Sequence, residues 1–169
     1  MKSYYLRLYA YNRWTNRAIL ACVKALPSDK YVQPRQMSWN SLRGTFVHIF
    51  DAERIWRQRM QGDSPELFLS ETDFADIASL EAAWLEEMTA MEEYIQSLPA
   101  TAFAESFEYH TTAANPAGKQ ARRNIRSEAF THVVLHGMQH RSEAAVVLTE
   151  LGQSPGDIDF LTYLRLQSG

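Results

Sequence analysis

The chain has 169 residues, long enough for one self-sufficient core, because a domain of about 150 residues buries roughly 70% of its unfolded surface. Its 46% hydrophobic and 22% charged residues, with no low-complexity run and no repeat of fixed period, fit a folded globular chain and exclude a helical-repeat array. Seventeen Lys and Arg against 20 Asp and Glu give a net charge of −3, so no basic field is available to attract a phosphate backbone, and nucleic acid is not expected as a partner.

The apolar runs, such as Ala144 to Leu148, fall far short of the roughly 18 residues that span a bilayer. The N-terminus carries Arg7, Asn12 and Arg13 where a signal peptide has its apolar core, and no small-residue cleavage site follows. The expectation is a cytoplasmic protein without a membrane association. The single cysteine, Cys22, can form no internal disulfide and reads as a small core residue.

From Ser3 to Ala25, Tyr5, Leu8, Tyr9, Ile19, Val23 and Leu26 keep helical spacing until Pro27, Ser28 and Asp29 stop it. Beyond Pro34, Ser38 or Asn40 is expected to cap a second helix with Leu42, Phe46, Ile49, Trp56 and Met60 on one face, ended by Gly62 and Pro65. Ser79 is the expected cap of a third, which carries Leu80, Trp84, Met88, Met91 and Ile95 and runs to Ser97, with Pro99 beyond. Between Ala102 and Ala121, Phe103, Phe107 and Tyr109 alternate with polar residues, and Asn115, Pro116 and Gly118 supply turn chemistry, so a small hairpin or irregular crossover is expected. A fourth long helix follows from about Asn124 to Leu151, closed by Gly152 and Pro155, and a short helix ends the chain between Asp157 and Gln167. This order predicts an all-α protein, a four-helix bundle over a single domain spanning residues 1–169, whose core can host a site built from facing side chains. The Trp and Tyr content reads as core.

Of five histidines, His132, His136 and His140 stand four apart on the fourth helix. Such neighbours share a face, and two imidazoles can converge on one ion. Three cannot easily do so, because the axis rises about 12 Å from the first to the last. One pair is expected to bind, on a stripe continued by Ala129, Val133, Glu143 and Val147 that looks inward. The bland alternative is a set of surface or satisfied core histidines. A third ligand has to come from another helix, and His48, beside the apolar arc of the second helix, is the candidate; His110, in the crossover, fits less well. Glu53 falls inside that apolar arc, where a carboxylate needs a partner, for which Asn12, Asn16 or Arg13 is available.

These residues carry a resemblance along nearly the whole chain. Tyr-Asn-Arg-Trp-Thr-Asn from Tyr11 to Asn16, Phe-Val-His-Ile-Phe-Asp-Ala-Glu around His48, the His-x-x-x-His-Arg stretch of His136, His140 and Arg141, and Ser154 to Phe160 resemble the DinB, or DinB/YfiT, family of proposed metalloenzymes. The resemblance implies a four-helix bundle, frequent homodimers, and a metal bound by His48, His136 and His140, with His132 one turn outside. The family often continues with Gly-Gln after His-Arg, whereas this chain has Ser142 and Glu143. Glu143 could orient a ligand, bind a nearby water or act as a base, or it could simply pair with a basic neighbour.

Three neutral histidines on a divalent ion leave a coordination position open, which suits catalysis more than structure. Relatives are linked to chemistry with low-molecular-weight thiols, so the resemblance implies a thiol-dependent transferase acting on a small-molecule substrate. A metal-dependent hydrolase is the second reading. A non-enzymatic, stress-associated metal-binding dimer is the third, since the family name refers to damage-inducible expression. Zn, Ni, Fe and Mn are all candidate ions. The substrate-lining residues are expected on helix faces and in the crossover near residues 102 to 121.

Overall fold

The computed structural model describes residues 1–113 and 117–168. Among these the chain is mostly helical: α1 (Lys2–Lys24), α2 (Ser28–Val32), α3 (Leu42–Met60), α4 (Ile77–Ser97), α5 (Arg126–Glu150) and α6 (Phe160–Ser168), with one two-stranded sheet of β1 (Ser106–His110) and β2 (Ala121–Ile125). The four expected long helices are α1, α3, α4 and α5. Both α1 and α3 pack against α4 and α5. None of the helices is long and apolar enough to cross a membrane.

Helix starts differ from expectation where a neighbouring polar residue competes for the cap. Ser41, rather than Ser38 or Asn40, caps α3: its Oγ accepts the Gly44 N–H at 2.9 Å. Asn40 is left-handed at φ 57, which turns the chain into the helix. A Cβ on Gly44 would collide with the Trp39 carbonyl, so a glycine there lets residues 38–41 fold over the first turn of α3. At α4 the cap is Asp76, which accepts the Ser79 N–H at 2.8 Å, while Ser79 accepts the Asp76 N–H in return. Pro27 ends α1 but also precedes α2, a turn of helix the sequence reading did not include; its fixed φ suits a helix entrance.

The connection after α4 is a hairpin, with Ser106 opposite Ile125 and His110 opposite Ala121. Phe107 and Tyr109 face inward while Ser106, Glu108 and His110 face solvent, the alternation of a half-covered strand. Gly118 is left-handed at φ 72; Asn115 and Pro116 lie outside the described residues.

Two apolar layers fill the space between the long helices. One gathers Ile19, Leu20, Phe46, Ile49, Trp84, Met88, Ala144 and Leu148. The other gathers Tyr5, Tyr9, Met60, Met91, Ile95, Phe103, Phe130 and Val133. Each fully buried large side chain contributes about 1.5–3 kcal/mol. Cys22 packs against the first layer, though only partly buried. On α1, α3 and α5 alike, polar residues fall between the layers: Asn12 and Asn16, Glu53, and Arg141, each at most 1% exposed. Trp39 departs from the core reading of the aromatics, being 44% exposed.

Candidate metal centre

Facing turns of α3 and α5 bring three histidines together. The ring centroids of His48, His136 and His140 form a triangle with every side 4.7 Å. One nitrogen from each lies within 4.8 Å of the other two, and His48 Nε2 approaches His136 Nε2 to 2.9 Å. Two nitrogens on one tetrahedral ion at about 2.0–2.1 Å stand about 3.3 Å apart, so the donor set fits a single ion with small side-chain adjustments. Among the described residues no fourth His, Cys, Asp or Glu joins this group.

Burial first, then the neighbouring His136 and His140, push the His48 pKa down to about 3. Burial, followed by His140 and His132, pushes His136 down to about 4. Both imidazoles are therefore neutral near pH 7 and keep a lone pair for coordination.

The stripe carrying the histidines looks inward in part: Ala129, Val133, His140 and Val147 are buried, while its other members reach the edge of the packed face. His132 is exposed, His136 half-buried and His140 buried. The residues one step further, Gly137 and Arg141, are rotated by about 100° and point into the core. His132 stays outside the triad, its ring 5.6 Å from His136 and 5.0 Å from Trp56. His110 sits on the exposed face of β1, its N–H donated to Ser64 Oγ.

Glu143 has a defined place. Its Oε2 lies 3.3 Å from His140 Nδ1, and its Oε1 accepts the Ser38 hydroxyl at 2.6 Å. The Ser38 hydrogen bond, more than the contact with His140, holds its carboxyl below the ordinary range. Among the described residues no Lys or Arg pairs with it, and its basic neighbour is His140 itself. With Nδ1–H given to Glu143, His140 keeps Nε2 free as a donor atom.

Trp39 is a neighbour the sequence reading missed. Its ring stacks on His48 with centroids 4.0 Å apart. A large aromatic in a polar loop, just before a candidate ligand, was the available signal. Trp39 and His48 also wall a cleft of about 450 Å³ with Val47, Asp51, Phe68 and Glu71. This cleft is formed by residues 38–40 and 68–71 against α3.

The Glu53 carboxylate is fully engaged. Oε1 accepts from Asn12 Nδ2 (2.7 Å) and Asn16 Nδ2 (2.9 Å), and Oε2 from Tyr9 OH and Trp84 Nε1 (3.1 Å each). The two asparagine carbonyls in turn accept Arg141 Nη1 at 2.7 Å. Arg13 turns instead to Glu92. The part played by Arg141 was not foreseen, nor was Gly137, where a Cβ would lie 2.6 Å from Arg141 Nη1.

Comparison with known proteins identifies the family. A profile of the DinB family matches residues 1–168. Protein DinB of Bacillus subtilis (strain 168) is 28% identical over 171 residues, covering 97% of this chain and 95% of the relative. With helices in the expected order and the histidine contexts in place, the chain belongs to the DinB family.

Proposed function

We propose that His48, His136 and His140 hold one divalent transition metal, and that the protein is a metal-dependent enzyme acting on a small molecule, with a thiol as the activated nucleophile. The observation that carries this reading is the triad: three imidazole nitrogens within 4.8 Å of one another and, among the described residues, no fourth His, Cys, Asp or Glu in the group. A structural zinc site closes its shell with four protein ligands, commonly cysteines, whereas three histidines leave a position for substrate. A bound ion there would act as a Lewis acid, lowering the pKa of a thiol or a water near neutral pH.

The chain's own residues divide the remaining work. Glu143 fixes the tautomer and orientation of His140, and Ser38 fixes Glu143. Trp39 covers one face of His48. The arrangement favours a thiol over base-assisted hydrolysis, because a carboxylate held below its ordinary pKa by two partners is a weak general base at neutral pH. In this reading the four long helices form one four-helix bundle, and two copies pair, symmetric dimers being the commonest soluble assembly.

The test is elemental analysis of protein prepared without a histidine tag or chelator, beside a His136→Ala, His140→Ala double variant. About one transition metal per chain, absent from the variant, is the expected result. Thiol conjugation to a chromogenic electrophile, assayed with and without metal, then separates a transferase from a hydrolase that needs no thiol. No metal in either protein, and none taken up from added Zn, Ni, Fe or Mn, would sink the reading.

A further inference from the structure

Two large aromatic side chains stand in water beside the histidine triad. Trp39 is 44% exposed and Phe68 is 53% exposed, and both border the cleft of about 450 Å³ that His48 helps to wall. A cleft of that volume lies within the roughly 300–1,000 Å³ range of small-molecule sites. A single exposed aromatic is ordinary, but two around one concavity that starts at a candidate metal ligand are the mark of a binding surface.

Anchors in the neighbouring residues hold both rings in place without burying them. Leu69 donates its N–H to Asp51 Oδ2 at 2.9 Å and packs against the first apolar layer, which pins that segment to α3 and leaves the adjacent Phe68 exposed. Trp39 belongs to the loop that folds over Gly44; on either side of it Ser38 bonds Glu143 and Ser41 caps α3. The two walls are therefore formed in advance, and a ligand entering between them does not have to order either segment.

The charges of the cleft are already compensated. Asp51 pairs with Arg54 at 2.7 Å and accepts the Leu69 N–H, while Glu71 accepts from Arg43 Nε and the Ser41 hydroxyl. Neither arginine lines the cleft, and among the described residues no other Lys or Arg does. An anion there would meet carboxylate oxygens and no cation, and a cation would find both carboxylates occupied. We propose that the cleft seats an uncharged aromatic group of the electrophilic substrate, between Trp39 and Phe68 and next to His48. Offset and edge contacts between rings add to the gain from buried area, which selects a ring over an aliphatic group of equal size. The proposal deepens the metal-dependent reading by naming the class of its second substrate, and rests on that reading only for what then happens to the ligand.

The test titrates metal-free protein with phenethyl alcohol, cyclohexylethanol, phenylacetate and phenethylamine, with zinc uptake measured in parallel on the same preparation. Binding is read by NMR from the Trp39 Nε1–H and His48 ring C–H resonances, assigned by their loss in Trp39→Phe and His48→Gln. Phenethyl alcohol should shift both saturably and bind about threefold to tenfold more tightly than cyclohexylethanol. The acid and the amine, which must shed water from a charge, should bind more weakly than the alcohol. Phe68→Leu, which keeps apolar bulk without the ring, should reduce the preference for phenyl over cyclohexyl, and Phe68→Ser should weaken phenethyl alcohol about threefold or more. Leu67→Ser, at a still more exposed apolar residue that does not border the cleft, should change nothing.

No saturable shift with phenethyl alcohol, or a shift that Phe68→Ser leaves as strong, overturns the site. A shift at Trp39 without one at His48 overturns its placement beside the triad. Tightest binding by the amine or the acid overturns the uncharged assignment, and parity between phenethyl alcohol and cyclohexylethanol overturns the aromatic one. Ring binding without zinc uptake leaves the cleft standing and removes only the metal-centre reading; zinc uptake without ring binding does the reverse.

Discussion

Two polar clusters sit side by side between α3 and α5, and they differ in how completely they are satisfied. The Glu53 carboxylate accepts four hydrogen bonds, and the asparagines that supply two of them also receive Arg141. The histidine triad has one internal hydrogen bond, between His48 and His136, and one hydrogen-bonding carboxylate outside it, Glu143. A saturated network has no capacity for a ligand and serves to lock helices together, whereas imidazole nitrogens converging on one point are available to a cation. Sequence adjacency couples the two: Gly137 follows His136 and Arg141 follows His140, so the register that satisfies Glu53 also aims the histidines.

The largest effect should come from the triad. His136→Ala should abolish metal uptake, read by elemental analysis, while the metal-free variant unfolds within about 1 kcal/mol of the metal-free parent, since the side chain lost is half-buried at the edge of the core. A large loss of stability there would erase the contrast between the clusters. Glu53→Ala should do the opposite and destabilise the metal-free protein by about 3–5 kcal/mol in urea unfolding, because it strands Arg141 and four donors in the core. Little change would mean that water replaces the carboxylate and the network is not a lock.

Gly137→Ala probes the link between the clusters. A Cβ 2.6 Å from Arg141 Nη1 and 3.2 Å from Asn12 Oδ1 forces the guanidinium to move, at a cost of about 1–3 kcal/mol. If α5 shifts with it, metal affinity drops in the same variant; unaltered affinity would show that the register is held elsewhere. Glu143→Ala should weaken metal binding about tenfold with little change in stability, as the loss of a ligand-orienting partner does. An unchanged affinity would leave Glu143 as a tether for Ser38 only.

The most gradual effect is on pH. In the folded metal-free protein, His48 and His136 stay neutral down to about 3 and 4, whereas unfolded histidine titrates near 6.5. The unfolded chain thus takes up protons first as pH falls below about 6.5, so stability is full above that value and declines progressively toward the folded pKa values. Urea midpoints of the metal-free protein should fall with acid over this window, and less steeply in a His48→Gln, His136→Gln variant. Equal slopes would assign the acid sensitivity to other groups.

The sequence alone determined the features that depend on neighbours along the chain. Helical periodicity located α1, α3, α4 and α5 to within a few residues, and the four-residue spacing of His132, His136 and His140 suggested a pair on one face, with the family resemblance singling out His136 and His140. The helical wheel picked out Glu53 as a buried carboxylate with Asn12, Asn16 or Arg13 as partners, of which the two asparagines bond it. Helix caps were misjudged at Ser41 and Asp76 because adjacent Ser, Asn and Asp residues offer equivalent oxygens, and only the turn geometry selects among them.

Tertiary structure decided what depends on the register between helices. Ser38 and Glu143 are 105 positions apart, and Arg141 lies 129 from Asn12. Trp39 reaches His48 because a glycine at position 44 lets the preceding loop fold close. Arg59 lies 4.7 Å from the ring centroid of Tyr109 only because the hairpin packs against α3. Periodicity fixes which side of a helix a residue occupies, but side chains from different helices meet only once the helices have packed, and that packing is a property of the whole core.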